Sequence, residues 1–342
     1  MIPTIVLALL FVVLCAALLA TVLILLIKPL LRRYALARPI ARSSHRVPTP
    51  QGAGVAVIAS TLIVAGTAML SAPMPDLTEL GFVFAATLLI ALVGAIDDLR
   101  PIPVLPRLAL QALAVGLVVF AMRSDAGVFP FLPLWLERAL ILLTGLWFVN
   151  LVNFMDGIDW ITAAEVVPVT AALMLLGVLN QLPLPAVLVA ATLCGAMIGF
   201  APFNRPVAKI FLGDVGSLPI GLLLGWCLLE LMTRGHIVAA VLLPLYYLCD
   251  ATLTLARRFA KGETVWIAHR SHFYQRATDN GFMVLRVVGT VFVLNILLAS
   301  LALLSALEPS RLAGALTLAA GFAAVAFVLM RFSKNGSVSP AD

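Results

Sequence analysis

Long runs of apolar residues recur along the chain, and short polar segments separate them. A window of about 20 apolar residues is the length that an α-helix needs to cross the hydrocarbon layer of a bilayer. Such windows fit the sequence eleven times, approximately at 4–27, 53–71, 79–96, 104–122, 134–152, 162–180, 184–201, 216–232, 236–256, 284–305 and 311–330. The pattern predicts an all-α, polytopic integral membrane protein with about 10–11 transmembrane helices.

The composition excludes a soluble globular protein. The 342 residues are 63% hydrophobic and only 11% charged, whereas soluble domains carry roughly 25% charged residues. We expect residues 1–331 to form a single transmembrane domain and residues 332–342 to form a short cytoplasmic tail. The cysteines lie inside apolar runs, which favours small core side chains over disulfides or metal ligands; they are Cys15, Cys194, Cys227 and Cys249.

Lysine and arginine are distributed unevenly between the two sides of the predicted bundle. Eighteen lie on the side that carries segments 28–50, 100–107, 205–209 and 257–286 and the C-terminal tail. The opposite side has four, Arg123, Arg138, Arg234 and Arg311. By the positive-inside rule the N-terminus lies outside and the C-terminus lies in the cytoplasm. A basic cytoplasmic face also suits anionic lipids or phosphate-bearing ligands.

The stretch NLVNFMDGIDW, residues 150–160, places polar side chains directly after a long apolar run. Asn150, Asn153, Asp156 and Asp159 recur at a spacing of three. Such a stripe drifts around an α-helix but stays aligned on a 3₁₀ turn, and Gly157 frees the backbone to leave the helix. A solvated helix end, where Asn, Asp and Gly are common, is the alternative interpretation.

The first predicted cytoplasmic loop reads ARPIARSSHRVPTPQGAGVAV. Pro48 and Pro50 hold Thr49 in an extended turn, while Gly52 and Gly54 allow close backbone approach. The same loop offers three residues for phosphate binding, Arg42, His45 and Arg46. An ordinary basic loop explains those charges equally well, but it does not explain the proline and glycine pattern.

Asp97 and Asp98 end the third predicted helix, where an unpaired charge at the membrane edge is costly. Adjacent carboxylates repel each other, so one pKa would be raised unless a cation lies between them. The pair therefore points to Mg²⁺, to a general base, or to Arg100 and Arg107 as partners. A purely structural salt bridge is the alternative.

Two more polar clusters follow on the same predicted face. Asp214 lies between Gly213 and Gly216, where free backbone N–H groups favour a metal-bound phosphate; a helix N-cap is the competing interpretation. The last cytoplasmic loop holds His269, Arg270, His272 and Arg276. The histidines alternate with arginines and have no cysteine nearby, so phosphate or sugar contacts fit better than a zinc site.

Together these clusters resemble the polyprenyl-phosphate N-acetylhexosamine-1-phosphate transferase family, the glycosyltransferase family 4 enzymes that include the peptidoglycan phospho-MurNAc-pentapeptide translocase. The similarity runs from about Arg42 to Arg276, with motifs RSSHRVPTPQGAG, AIDDL, NLVNFMDGIDW, PFNRPVAKIFLGDVGS and HRSHFYQRA in the family's order. The HRSHFYQR form is most similar to the O-antigen-initiating branch.

The resemblance implies transfer of N-acetylhexosamine-1-phosphate from a UDP-sugar to undecaprenyl phosphate, with release of UMP. It implies Mg²⁺, or Mn²⁺ in its place, at the cytoplasmic face of a bacterial inner membrane. It further implies a role in lipopolysaccharide or other cell-envelope polysaccharide synthesis, no nucleic-acid partner, and a homodimer. The donor sugar stays open among GlcNAc, GalNAc, FucNAc and QuiNAc.

The resemblance also assigns roles to individual residues. Asp97, Asp98 and Asp214 would be catalytic, and Asp214, together with Asp97, would bind the metal. Gly157, Ile158, Asp159 and Phe211 would form the uridine pocket. The full set of substrate-binding residues that it implies is Thr49, Asn153, Asp156, Gly157, Ile158, Asp159, Asn204, Phe211, His269, Arg270, His272 and Arg276.

Three positions depart from the family pattern. Trp160 stands where many relatives have Gly, and Gln51 and Ala53 replace the usual Arg and Gly.

A secondary transporter is the rival function, because intramembrane carboxylates and interrupted helices are typical of transporters too. Against it, the acidic residues cluster at one face and the sequence has no inverted repeat.

Overall fold

The computed structural model describes residues 2–37, 48–71, 78–122, 127–264, 269–308 and 310–334. Of the residues singled out above, Arg38, Arg42, His45, Arg46 and Arg123 lie outside this part of the chain. The helices are α1 (Ile2–Tyr34), α2 (Gly54–Leu70), α3 (Thr78–Leu99), α4 (Val104–Ala121), α5 (Leu134–Phe154), α6 (Ile161–Val178), α7 (Leu184–Phe200), α8 (Asp214–Thr233), α9 (Ile237–Leu242), α10 (Leu245–Ala260), α11 (Phe273–Asp279), α12 (Val284–Leu307) and α13 (Arg311–Phe332).

The prediction of an all-α polytopic membrane protein is confirmed. Within the described residues, 9 helices are long and apolar enough to cross a membrane, and α2 is a shorter apolar helix. Regular β-structure there is confined to one antiparallel pair of two-residue strands, β1 (Leu36–Ala37) and β2 (Thr49–Pro50). A short 3₁₀ turn, Ala201–Phe203, follows α7.

One predicted span, 236–256, is two helices instead of one. The chain leaves the helical pattern between Leu242 and Leu245, so that α9 and α10 are separate. Pro244 explains the break, because proline has no backbone N–H and its ring clashes with the preceding turn. Phe259 on α10 is 78% exposed and Tyr246 is fully buried, so this helix has an outer and an inner face.

Helices α6, α7 and α8 form the buried centre of the bundle, and α1, α2, α3, α5 and α12 pack around them. Near the start of α8 this packing brings backbones into direct contact. A Cβ atom added to Gly94 of α3 would lie 2.3 Å from the backbone oxygen of Asp214, and one added to Gly54 of α2 would lie 2.3 Å from the Cα of Gly216. The start of α8, which carries Asp214, is thus in backbone contact with both α2 and α3.

Candidate active site

Asp98, at the end of α3, caps the start of α8. Its Oδ1 accepts a hydrogen bond from the backbone N–H of Asp214 at 2.9 Å, and its Oδ2 accepts one from Val215 at 3.1 Å. Gln51 donates a further hydrogen bond from its side-chain amide to Oδ1. A carboxylate at a helix N-terminus satisfies free N–H groups and is stabilised by the helix dipole. Asp98 therefore fixes the position of Asp214.

Asp214 is held from a second side by Asn153, near the end of α5. The Nδ2 of Asn153 donates to Asp214 Oδ1 at 2.8 Å and lies 2.9 Å from the hydroxyl oxygen of Ser217. The Asp97 carboxyl also lies within electrostatic range of Asp214. Neighbouring carboxylates repel each other, so a cation beside them would be stabilising.

Asp97 faces a cation on its other side. Arg107 donates from Nη1 to Asp97 Oδ2 at 2.8 Å, and the backbone N–H of Ile102 donates to Oδ1 at 2.6 Å. The salt bridge considered from the sequence therefore exists for Asp97, while its neighbour Asp98 points to α8. Successive residues of one helix turn thus serve different partners, because they point about 100° apart.

Asp156 lies in the segment between α5 and α6. It accepts a hydrogen bond from the Thr162 hydroxyl. Its carboxyl lies below the protein surface, although part of the residue is still accessible to solvent. Burial raises the pKa of Asp156 to about 7, and the negative charges of Asp98 and Asp159 add to the effect. At neutral pH this carboxyl can therefore both take up and release a proton.

The polar residues at a spacing of three do not share one face. Helix α5 continues as an α-helix to Phe154, so Asn150 and Asn153 point about 60° apart and contact different helices. The Nδ2 of Asn150 donates to Gln111 Oε1 on α4 at 2.8 Å. Asn150 therefore joins two helices, and only the later part of the stretch reaches the acidic residues.

Hydrogen bonds of Asp159 and Asn204 fix the position of the loop after α7. The backbone N–H of Ala208 donates to Asp159 Oδ2 at 3.0 Å. Asn204 accepts from the backbone N–H of Trp160 at 2.7 Å and donates to the carbonyl of Ile210 at 3.1 Å. These contacts join the segment before α6 to the one that leads into α8.

Phe211 joins the Thr-Pro segment to the same loop. Its N–H donates to the Pro50 carbonyl at 2.8 Å, and its carbonyl accepts from Gly52 at 3.1 Å and Ala53 at 3.0 Å. Thr49 is buried in β2. This pairing places Gln51 beside Asp98. From the sequence, Gln51 was noted only as a departure from the family pattern, so its hydrogen bond to Asp98 was missed.

Asp250 is a second residue that sequence reasoning missed. It is fully buried in α10 and accepts from the backbone N–H groups of Phe273 at 3.0 Å and Tyr274 at 3.1 Å, at the start of α11. The Nδ1 of buried His272 lies 3.2 Å from Asp250 Oδ1. A lone aspartate inside the apolar run LYYLCDATL was the available signal.

The histidines of the last loop stack against one another and against the end of α5. The rings of His269 and His272 lie 4.9 Å apart, and Phe154 lies 6.4 Å from His272. The Tyr274 hydroxyl donates to the Phe154 carbonyl at 3.0 Å, next to Gly157 and buried Ile158. Burial, with the nearby charges of His272 and Arg258, lowers the pKa of His269 to about 4. His269 is therefore neutral at pH 7.

The two arginines of this loop have different surroundings. Arg270 pairs with Asp279 at 3.0 Å and donates to the Thr278 hydroxyl at 3.2 Å. Arg276 lies over the Phe273 ring at 5.9 Å from its centre, and Arg257 lies over the same ring at 5.0 Å. A basic pocket of about 260 Å³ opens here, lined by Thr254, Arg257, Arg258, Lys261, Glu263, Ser271 and Arg276.

An apolar groove of about 400 Å³ lies between α4, α5, α8 and the α9–α10 break. Its lining includes Val115, Trp147, Phe148, Gly225 and Leu248. Trp147 also contacts Phe154, with ring centres 6.5 Å apart. The groove therefore approaches the end of α5 that carries the polar residues.

The structure thus brings Asp97, Asp98, Asn153 and Asp214 together and places Asp156 within electrostatic range of Asp98. His269 and His272 reach the same end of α5 through Phe154. In the described part of the chain, no group of three His, Cys, Asp or Glu residues is arranged to hold a metal ion by itself. An ion bound here would need oxygens from substrate or water to complete its coordination.

Comparison with known proteins gives a consistent set of relatives. A family model described as glycosyl transferase family 4 matches residues 80–232. The decaprenyl-phosphate N-acetylglucosaminephosphotransferase of Mycobacterium tuberculosis (strain ATCC 25618 / H37Rv) is 28% identical over 302 residues, which cover 76% of this chain and 72% of that protein.

Two further relatives cover similar shares. The probable undecaprenyl-phosphate N-acetylglucosaminyl 1-phosphate transferase of Bacillus subtilis (strain 168) is 26% identical over 80% of both chains. The phospho-N-acetylmuramoyl-pentapeptide-transferase of Desulforamulus reducens is 29% identical over 81% of this chain and 90% of that protein. The segment matched by the family model contains Asp97, Asp98, Asn153, Asp156 and Asp214, whereas the histidine loop lies beyond it.

Proposed function

Because the chain belongs to glycosyl transferase family 4, we propose that it transfers N-acetylhexosamine-1-phosphate from a UDP-N-acetylhexosamine to undecaprenyl phosphate and releases UMP. Two of the named relatives are decaprenyl-phosphate or undecaprenyl-phosphate N-acetylglucosamine phosphotransferases, and the third is a phospho-N-acetylmuramoyl-pentapeptide-transferase. The observation that carries the proposal is the convergence of Asp97, Asp98 and Asp214, from two helices distant in sequence, at one membrane-edge point.

Two cavities of the bundle match the two substrates in character. Both substrates carry phosphate, so bringing them together is repulsive unless positive charge is supplied. The basic pocket with Arg257 and Arg276 lies beside the histidine loop and suits phosphate groups. The apolar groove next to Trp147 suits the isoprenoid tail of the acceptor. A tail that stays in the bilayer also explains an enzyme built almost wholly of transmembrane helices.

The carboxyl groups fit a divalent cation. Asp97 and Asp98 lie within electrostatic range of Asp214, and oxygen ligands are those that Mg²⁺ prefers. Asp214, with Asp97, would hold Mg²⁺, or Mn²⁺ in its place. Bound there, the ion would neutralise charge on the donor's diphosphate and on the departing UMP.

The remaining polar residues would position the reacting groups. Asp98 is committed to Gln51, Asp214 and Val215 through hydrogen bonds to both of its oxygens, which disfavours it as a nucleophile. We therefore favour direct in-line attack by the lipid phosphate over a covalent aspartyl intermediate. Asp156 would contact the nucleotide side.

We further propose a bacterial inner-membrane location with the site facing the cytoplasm. The 18 to 4 distribution of lysine and arginine supports this orientation. The HRSHFYQR motif supports a step in O-antigen or another envelope polysaccharide.

The experiment is an assay of UMP release by the full chain purified in detergent. Undecaprenyl phosphate and Mg²⁺ would be supplied with UDP-GlcNAc, UDP-GalNAc, UDP-FucNAc or UDP-QuiNAc in turn, and Asp214→Asn would serve as the control. We expect UMP release with at least one donor, dependent on the lipid and abolished by a chelator. No release with any donor, combined with substrate uptake into vesicles, would identify a transporter and overturn the proposal.

A further inference from the structure

A groove with two arginines at one end runs between α12 and α13. Its volume is about 520 Å³, within the range of about 300–1,000 Å³ that is usual for small-molecule sites. The lining residues come from both helices: Leu285, Arg286, Gly289, Thr290, Val293, Leu294, Leu297, Ala324, Phe327, Val328 and Arg331. On each helix they follow the spacing of three and four that defines one helical face.

The two arginines lie at the same end of the groove because the helices are antiparallel. Arg286 is in the first turn of α12, and Arg331 is in the last turn of α13. Both residues are exposed. Among the residues that the structure describes, neither guanidinium group pairs with a carboxylate. The groove therefore offers two uncompensated positive charges at the membrane edge.

The rest of the groove is open to the hydrocarbon layer. Val293 is 66% exposed and Phe327 is 62% exposed, so both face lipid. A Cβ atom added to Gly289 would meet nothing within 4 Å. The glycine therefore leaves a recess in the face of α12, between the arginines and the apolar part of the groove.

The opposite face of α12 packs into the bundle. Val287 and Val291 are buried there, and Asn295 Nδ2 donates to Glu165 Oε2 on α6 at 2.7 Å. The groove lies on the outer side of the helix, away from the acidic residues. Its occupant is thus separate from the substrates of the proposed reaction.

We propose that this groove binds one anionic phospholipid of the surrounding membrane. The lipid phosphate lies between Arg286 and Arg331, and one acyl chain runs along Gly289, Val293 and Phe327. Arginine is well suited to this role, because its planar guanidinium group donates two parallel hydrogen bonds to phosphate oxygens. Basic pockets between transmembrane helices are a known setting for acidic lipids.

The test is native mass spectrometry of the full chain with added phosphatidylglycerol or phosphatidylcholine. We expect the unmodified protein to retain one phosphatidylglycerol and to bind it about tenfold more tightly than phosphatidylcholine. Both headgroups carry a phosphate, but the cationic choline of phosphatidylcholine cancels its net charge and is repelled by the two arginines. The double variant Arg286→Gln/Arg331→Gln should lose this preference. Gly289→Leu, which fills the recess, should weaken the binding of both lipids.

A matched control is Arg32→Gln/Arg33→Gln, which removes two arginines from the last turn of α1 and should leave lipid binding unchanged. Equal binding of the two lipids by the unmodified protein would overturn the proposal. So would unchanged phosphatidylglycerol binding in the Arg286→Gln/Arg331→Gln variant. A lipid-free dimer that Gly289→Leu dissociates would show that a second copy of the chain covers the groove instead.

Discussion

Asp98 ends one transmembrane helix and, through its carboxylate, caps the helix that begins with Asp214. The two residues are 116 positions apart in sequence, yet the position of one carboxyl group is set by the other. Asp98 therefore has a structural task as well as its proposed place in catalysis, while the Asp214 side chain, held by Asn153, is the one proposed to bind the metal.

The variants Asp214→Asn and Asp98→Asn should both abolish transfer of radiolabelled sugar-phosphate to lipid, but they should differ in stability. Asp214→Asn should leave the melting temperature close to that of the unmodified protein. Asp98→Asn should lower the free energy of unfolding by about 1 kcal/mol, because the amide keeps only one oxygen to accept from the Asp214 and Val215 N–H groups. Near-normal turnover in either variant, with normal membrane insertion, would contradict the assignment.

Transfer should weaken as the pH falls through about 7, because burial raises the pKa of Asp156 to that value and the ionised form is expected to bind the nucleotide side. The test is the pH profile of kcat/KM from pH 5.5 to 8.5. Asp156→Asn should remove the dependence of kcat/KM on pH near 7. Thr162→Val should move the midpoint of the profile to higher pH, because the Thr162 hydroxyl donates a hydrogen bond that favours the carboxylate.

The same pKa predicts an opposite trend in stability. A carboxyl whose pKa is higher in the folded state than its ordinary value of 3.8 binds its proton more tightly when folded. The contribution of this carboxyl to the free energy of unfolding is fully present below pH 3.8 and is lost as the pH rises through about 7. The melting temperature of the unmodified protein relative to Asp156→Asn should therefore fall between pH 5 and pH 8; a constant difference would contradict it.

Asp250→Ala should destabilise the protein and disorder the histidine loop. It leaves the buried N–H groups of Phe273 and Tyr274 without their acceptor, and breaking a buried charged network costs roughly 3–5 kcal/mol. Thermal unfolding in detergent measures the loss. Asp279→Ala is the control: it removes the half-exposed partner of Arg270, so its effect should stay within about 1 kcal/mol.

Gly157→Ala should impair transfer by pushing α11 away from the end of α5. The added Cβ would lie 2.1 Å from the Tyr274 hydroxyl oxygen, closer than any real contact. Gly157→Ala/Tyr274→Phe should recover part of the activity, because the nearest Tyr274 atom would then be 3.1 Å away. Gly81→Ala, whose Cβ meets nothing within 4 Å, should be neutral. Equal loss with and without Tyr274→Phe would show that another contact is responsible.

Hydropathy was sufficient to predict the helical membrane architecture. A segment in the bilayer must satisfy its backbone hydrogen bonds within itself, so each transmembrane helix corresponds to one local apolar run of the sequence. The local pattern failed where a contact spans the chain. Asn150 shared the spacing of Asn153, and yet its amide pairs with Gln111 of the neighbouring helix α4. Gln51 had no local signal of its role, and the lone Asp250 in an apolar run marked a buried acid without naming its partner. Their partners, Asp98 and the start of α11, meet them only in the folded bundle.

The glycine contacts of Gly54 and Gly94 at the start of α8 have a consequence for an enzyme that works in a fluid bilayer. Where main chains touch, no side-chain rotamer change can make room for a shift, so this corner of the bundle has few ways to rearrange. A change in bilayer thickness would tilt the outer helices first. We expect the spacing of the carboxyl groups at the start of α8 to change less than the tilt of those helices.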